Sequence, residues 1–133
     1  MIEFAIVIPV LLTLVLGMVD LATAMYDLAV ITNASRSGAR WGTIPSNNPN
    51  GTAWSCTDTG TTASTPCAVA NSFASAYLIS YAGTPTLSTT TSGGGTANSV
   101  VTVTVTYNYQ GMGILKLFTS SNPLSATTKM SYE

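Results

Sequence analysis

Hydrophobic positions crowd the start of the chain. Residues 4–19, FAIVIPVLLTLVLGMV, hold no charge, stand just behind Glu3 and contain Pro9. As a helix rising 1.5 Å per residue, such a run covers about 24 Å, slightly less than the ~30 Å hydrocarbon core of a bilayer. Helical patterning then continues, because Leu21, Met25, Leu28, Ile31 and Ala34 recur at spacings of three and four. Asp20 and Asp27 are seven apart and share a face, while Arg36 and Arg40 fall near the end, where cations suit the helix dipole. Pro45 ends any helix. The pattern predicts one helix of about forty residues, apolar all round in its first half and amphipathic in its second.

Beyond it the polar spacing changes twice. Residues 43–65, rich in Pro, Asn and Gly, read as loop. Thr65 as cap, Pro66 in the first turn and Gly83 as stop predict a second helix, with Val69, Phe73, Ala76 and Tyr77 as its buried stripe. From residue 84 the period becomes two. TPTLSTTTSGGGTANSVVTVTVTYNYQ reads as strand, Gly-rich turn and strand, with Val101, Val103, Val105, Tyr107 and Tyr109 on the inner face. Residues 111–118 form a short apolar connection, and Leu124, Ala126, Thr128, Met130 and Tyr132 line one face of a last strand. The expected fold class is α+β: a long N-terminal hydrophobic helix, a short second helix and a small antiparallel sheet of about three strands. Two units follow, an assembly or transmembrane helix over residues 1–42 and a small head over residues 43–133.

Composition narrows the function. Charged residues make up 7% of the chain, against about 25% in an ordinary protein. Between Arg40 and Lys116 the only charge is Asp58, so that stretch is polar without being ionic. The net charge of -1 gives no basic patch for nucleic acid. Cys56 and Cys67 read as one disulfide closing a short loop in an oxidising compartment, or else as two free thiols. With no histidine and no further cysteine, zinc lacks its four ligands. Catalysis lacks a histidine base and a G-x-S-x-G elbow, and Asp58 alone is too little for calcium. Gly93, Gly94 and Gly95 read as a hairpin loop. No catalytic, cofactor or metal residue is therefore assigned, and the chain is read as a non-enzyme. Of two glycosylation sequons, Asn33-Ala34-Ser35 lies in the helix and Asn50-Gly51-Thr52 in a loop.

The apolar head admits three uses. A secretory signal would carry a basic start, whereas this one is acidic, and the helical pattern runs straight through the small-residue site Ala22-Thr23-Ala24. A single-pass anchor leaves Glu3 unexplained. Assembly with copies of itself accounts for both odd residues. Glu3 of one subunit would neutralise the Met1 amine of its neighbour and set the axial register, because a buried charge is tolerated when paired. Pro9 removes one helical hydrogen bond and allows a bend or a locally melted turn.

IEFAIVIPVLLTLVLGMVDLATAMYD followed by ITNASRSGARWGT resembles the head of TadE-like proteins, of the tight-adherence branch of the type IV pilin superfamily. The matching positions are Glu3, Phe4, Pro9, Gly17, Asp20, Asn33, Ala34, Ser35, Arg36, Gly38, Ala39 and Arg40. The tail, VTVTVTYNYQ and SATTKMSYE, resembles that family's closing strands. The resemblance implies a precursor cut by a prepilin peptidase, a pool in the inner membrane, a pilus assembly machinery and identical subunits as partners in an extracellular filament. The expected assembly residues are Met1, Glu3, Phe4, Pro9, Asp20, Asp27, Arg36 and Arg40, with either arginine placed to pair with Asp20 or Asp27 of an adjacent subunit. The alternatives are a minor pilin acting at initiation or at the tip, and a membrane-anchored binding module that never polymerises.

Overall fold

A computed structural model describes residues 2–58, 64–81, 85–111 and 122–132, with the backbone alone for Ile2, Glu3 and Asp58. Helix α1 spans Ile2–Gly42 and passes through Pro9 without interruption. The hydroxyls of Thr13, Thr23 and Thr32 donate to the carbonyls of Pro9, Val19 and Leu28, each four residues earlier, at 2.7, 3.1 and 2.7 Å. Polar side chains on an apolar helix are thereby satisfied locally. The far end is closed by side chains from beyond it. Trp54 Nε1 donates to the Gly42 carbonyl at 2.9 Å, and Asn47 Nδ2 donates to that of Trp41 at 3.1 Å.

A single 3₁₀ turn, Pro45–Asn47, leads to strand β1, Trp54–Asp58. Helix α2, Pro66–Tyr77, is followed by β2, Leu87–Gly93, β3, Val100–Tyr109, and β4, Asn122–Ser131. The sheet has four strands in the order β1-β2-β3-β4, every pair antiparallel. The expectation of about three strands is corrected here: residues 54–58, read as loop, form an edge strand that pairs Cys56 with Thr91. Five residues in a Gly- and Asn-rich stretch show too little alternation to be recognised alone. Their pairing partner β2 and the disulfide fix them.

In β3, Val101, Val103, Val105, Tyr107 and Tyr109 are buried and face the helices. The inner row of β4 runs Leu124, Ala126, Thr128, Met130, as its alternation predicts. The β3 row forms the core together with Ile31, Ala34 and Ala39 of α1 and Ala70 and Ala74 of α2, and Leu124, Ala126 and Met130 pack against it half-buried. Glycines at the β2–β3 turn are conformational: Gly94 has φ +81°, and a Cβ there would lie 2.7 Å from Val101 Cγ2.

Helix α2 starts as its sequence predicts, with Thr65 Oγ1 accepting from Ala68 N at 3.2 Å. It ends at Tyr77, with Leu78 N donating to the Ala74 carbonyl at 2.9 Å, and Gly83 lies outside the described residues, as do residues 112–118 of the apolar connection. Its buried face is Cys67, Ala70, Asn71 and Ala74, not the stripe drawn through Val69, Phe73, Ala76 and Tyr77. The reason is distance. Gly38 of α1 comes so close that a Cβ would stand 2.7 Å from the Pro66 carbonyl oxygen and 2.9 Å from Ala70 Cβ. Only small side chains fit that seam, so the aromatics move to its flank, where Phe73 and Tyr77 stack with centroids 5.0 Å apart.

Candidate functional site: the undocked half of α1

One helix changes surroundings at Asp20. From Phe4 to Val19 no residue is buried, and the side chains of Phe4, Ile6, Val10, Leu12 and Met18 are 60–73% exposed. Among the described residues this is the one helix long and apolar enough to cross a membrane. An unbroken apolar surface of this extent is far beyond what soluble monomers leave in water, and marks a membrane or protein contact. Each large apolar side chain withdrawn from water gains roughly 1.5–3 kcal/mol, so the pull towards some shelter is strong.

From Asp20 onwards the same helix docks on the head. The carboxylates of Asp20 and Asp27 are buried, at 1% and 0% exposure. They do share a face, and it is the face turned to the sheet. Asp27 Oδ1 accepts the backbone N–H of Ile79 at 3.0 Å, tying α1 to the segment after α2. Burial holds the Asp27 carboxyl above the usual carboxylate range, with the Ile79 hydrogen bond as a partial offset. Asp27 lies in the docked half, eight residues beyond the apolar run. The Tyr109 hydroxyl sits 2.6 Å from Thr23 Oγ1 and 3.1 Å from the Asp20 carbonyl. Burial, aided by the nearby Asp27 charge, raises the phenols of Tyr107 and Tyr109 above their ordinary range.

The stretch NASRSGAR gains a physical reading. Ala34, Ser35, Gly38 and Ala39 are buried, because α2 and the sheet approach there, while Asn33, Arg36 and Arg40 are exposed. Ser35 Oγ lies 2.7 Å from Thr128 Oγ1 of β4. The small residues are packing positions, and the arginines between them face outward.

The expected assembly residues thus separate. Phe4 and Pro9 lie on the undocked half and are exposed, as are Arg36 and Arg40 at the opposite end of α1. Asp20 and Asp27 are enclosed by their own subunit, so neither offers a surface carboxylate to a neighbour's arginine. Met1 and the Glu3 side chain lie outside the described residues. Cys56 and Cys67 are joined in a disulfide that clips β1 to the first turn of α2. Sequence reasoning gave no role to Trp54 or Thr23 and placed Tyr109 only on the inner face of β3, yet all three bond to the docked half or its end.

No curated protein matches the chain, and no solved structure does. Residues 1–40 match the family model described as TadE-like protein. The matched stretch takes in the whole apolar run and both arginines, and over it the chain is similar to that family.

Proposed function

We propose that the chain is a pilin-like structural subunit that polymerises through its N-terminal helix into an extracellular pilus filament. One observation carries this: the most apolar segment of the molecule, residues 4–19, holds no buried residue, while residues 20–42 bury a face against the sheet that the two helices share. A helix divided in this way presents a complete head at one end and an unsatisfied hydrophobic rod at the other. In the inner membrane lipid covers the rod. In the filament other rods replace lipid, and the heads face out. The low charge of the head suits close packing against other heads. The TadE-like match supports a pilus component, with a prepilin peptidase and assembly machinery as the partners such a component needs.

The test is to shear filaments from cells, image them, and identify the chain in them by mass spectrometry. Abundant filaments built of this chain support the major-subunit reading. Trace amounts in filaments made of another protein turn the reading to a minor pilin. Complete retention in the membrane fraction refutes polymerisation and leaves an anchored module.

A further inference from the structure

We infer that Asn50 is an acceptor for an N-linked oligosaccharide, and that the fold selects it over Asn33, the other asparagine in the same motif. The motif is an asparagine with Ser or Thr two residues on, and a transferase needs the amide and that hydroxyl presented together. The chain holds it twice, at Asn33-Ala34-Ser35 and at Asn50-Gly51-Thr52. The spacing treats the two alike, and the structure does not.

Asn33 is exposed, but its motif is locked in the docked half of α1. Ser35 is 0% exposed, and its Oγ donates to the Thr32 carbonyl at 2.9 Å and lies 2.7 Å from Thr128 Oγ1 of β4. Presenting that hydroxyl requires unwinding the helix and lifting it off the sheet. At the second motif both side chains are already outside. Asn50 and Thr52 are exposed, and neither the Asn50 amide nor the Thr52 hydroxyl has a hydrogen-bond partner among the described residues. The loop is held by its backbone instead. Gly51 N donates to the Asn48 carbonyl at 3.1 Å, and the buried Asn48 amide donates to the Thr52 carbonyl at 2.6 Å. The loop also leans on the β2–β3 turn, where a Cβ on Gly95 would stand 2.5 Å from the Thr52 carbonyl oxygen. Gly51, at φ +60°, turns the chain between the two motif residues. These contacts fix the backbone and leave the two side chains in solvent.

The loop's place in the molecule suits the modification. Asn47 Nδ2 before it and Trp54 Nε1 after it bond to the last carbonyls of α1, so it sits at the end of that helix away from the apolar run. From Val19 to Gly42 α1 rises about 35 Å. A glycan there clears both a membrane holding residues 4–19 and the packed rods of a filament. The Cys56–Cys67 disulfide suits an oxidising compartment, outside the cytoplasm. Residues 43–57 carry no charge, so a glycan supplies hydration that charge does not. In the step itself, Asn50 Nδ2 attacks the anomeric carbon of a sugar carried on a lipid pyrophosphate. The carbon–nitrogen bond forms, the bond from that carbon to the pyrophosphate oxygen breaks, the lipid pyrophosphate leaves, and Nδ2 gives up one proton. Nothing is oxidised or reduced.

The inference rests on the head lying outside the cytoplasm, which the proposed pilus subunit requires, and not on polymerisation. Mass spectrometry of proteolytic peptides, from the chain purified out of the membranes of its own cells, tests it. The peptide carrying Asn50 should show a mass gain of whole sugar residues, and the peptide carrying Asn33 none. Asn50→Gln and Thr52→Val should each abolish the gain, whereas Thr52→Ser, which keeps the hydroxyl, should retain it. An unmodified Asn50 in the native chain overturns the acceptor. Sugar on Asn33 at comparable occupancy overturns selection by the fold, and sugar that survives Thr52→Val overturns the motif's part in it. Should a variant fail to accumulate, the native Asn50 peptide decides alone. None of these results bears on the filament reading, which the shearing experiment decides by itself.

Discussion

The two halves of α1 invert the usual relation between hydropathy and burial. Residues 4–19, mostly Leu, Val, Ile, Phe and Met, bury nothing, whereas residues 20–42 bury two aspartates, a serine, two alanines and two glycines, with Val30 and Ile31 as the large apolar exceptions. Both halves are the same continuous helix, so propensity does not separate them. What separates them is the partner. The docked half is shaped for a partner in its own chain, with small residues where Pro66 and Ala70 approach and polar groups where Ile79 N and Thr128 Oγ1 wait. The undocked half is shaped for a partner that one subunit does not contain. It has bulk on every side and, in Thr13, a hydroxyl turned back on its own helix.

Breaking the undocked half should give the largest effect. Leu14→Lys places a charge midway along the rod, at roughly 2.5–3.5 kcal/mol per copy in a membrane-like setting. Filament yield, read by sedimentation of sheared material, should fall about a hundredfold, at 1.4 kcal/mol per factor of ten. The head's melting temperature should not move, because Leu14 is exposed and lies outside the core. Removing the clip acts on the other side of the comparison. Cys56→Ser with Cys67→Ser should lower head stability by about 2–3 kcal/mol, measured by urea unfolding of the detergent-held chain. Gly38→Val is smaller still. The added side chain meets the Pro66 carbonyl and Ala70, and forcing α1 from α2 should cost about 1–3 kcal/mol in the same measurement.

The smallest effect concerns pH. Burial raises the Asp27 carboxyl above its ordinary value of 3.8, so the folded head takes up this proton more readily than the unfolded chain. Its contribution to stability is therefore complete below pH 3.8 and is lost as pH rises through the folded value. Asp27→Asn keeps an Oδ1 acceptor for Ile79 N and removes the titration. The difference in melting temperature between pH 4 and pH 7 should shrink in this variant, and an unchanged difference would place the pH response elsewhere.

Much of this division could be read in the chain itself. The length of α1, the inner face of β3 from Val101 to Tyr109 and the alternation of β4 follow from periods long enough to stand above noise. The pairing of Cys56 with Cys67 followed from there being two cysteines in all. What could not be read was set by tertiary approach. The strand at residues 54–58 is too short to announce itself and exists because β2 offers it an edge. The buried face of α2 was assigned to its largest residues, and the closeness of Gly38 reversed that choice. The aspartates were read as partners for arginines of adjacent subunits, since nothing in their spacing reveals that a backbone N–H fifty-two residues away takes one of them.

The central claim is that residues 4–19 end among identical segments and that lipid is only their first shelter. Electron cryomicroscopy of filaments sheared from cells measures this directly. The account predicts α1 helices packed side by side along the filament interior, with axes about 8–10 Å apart through the undocked halves. Filaments of this chain whose undocked halves lie apart from one another would contradict it, as would a chain found only in the membrane fraction.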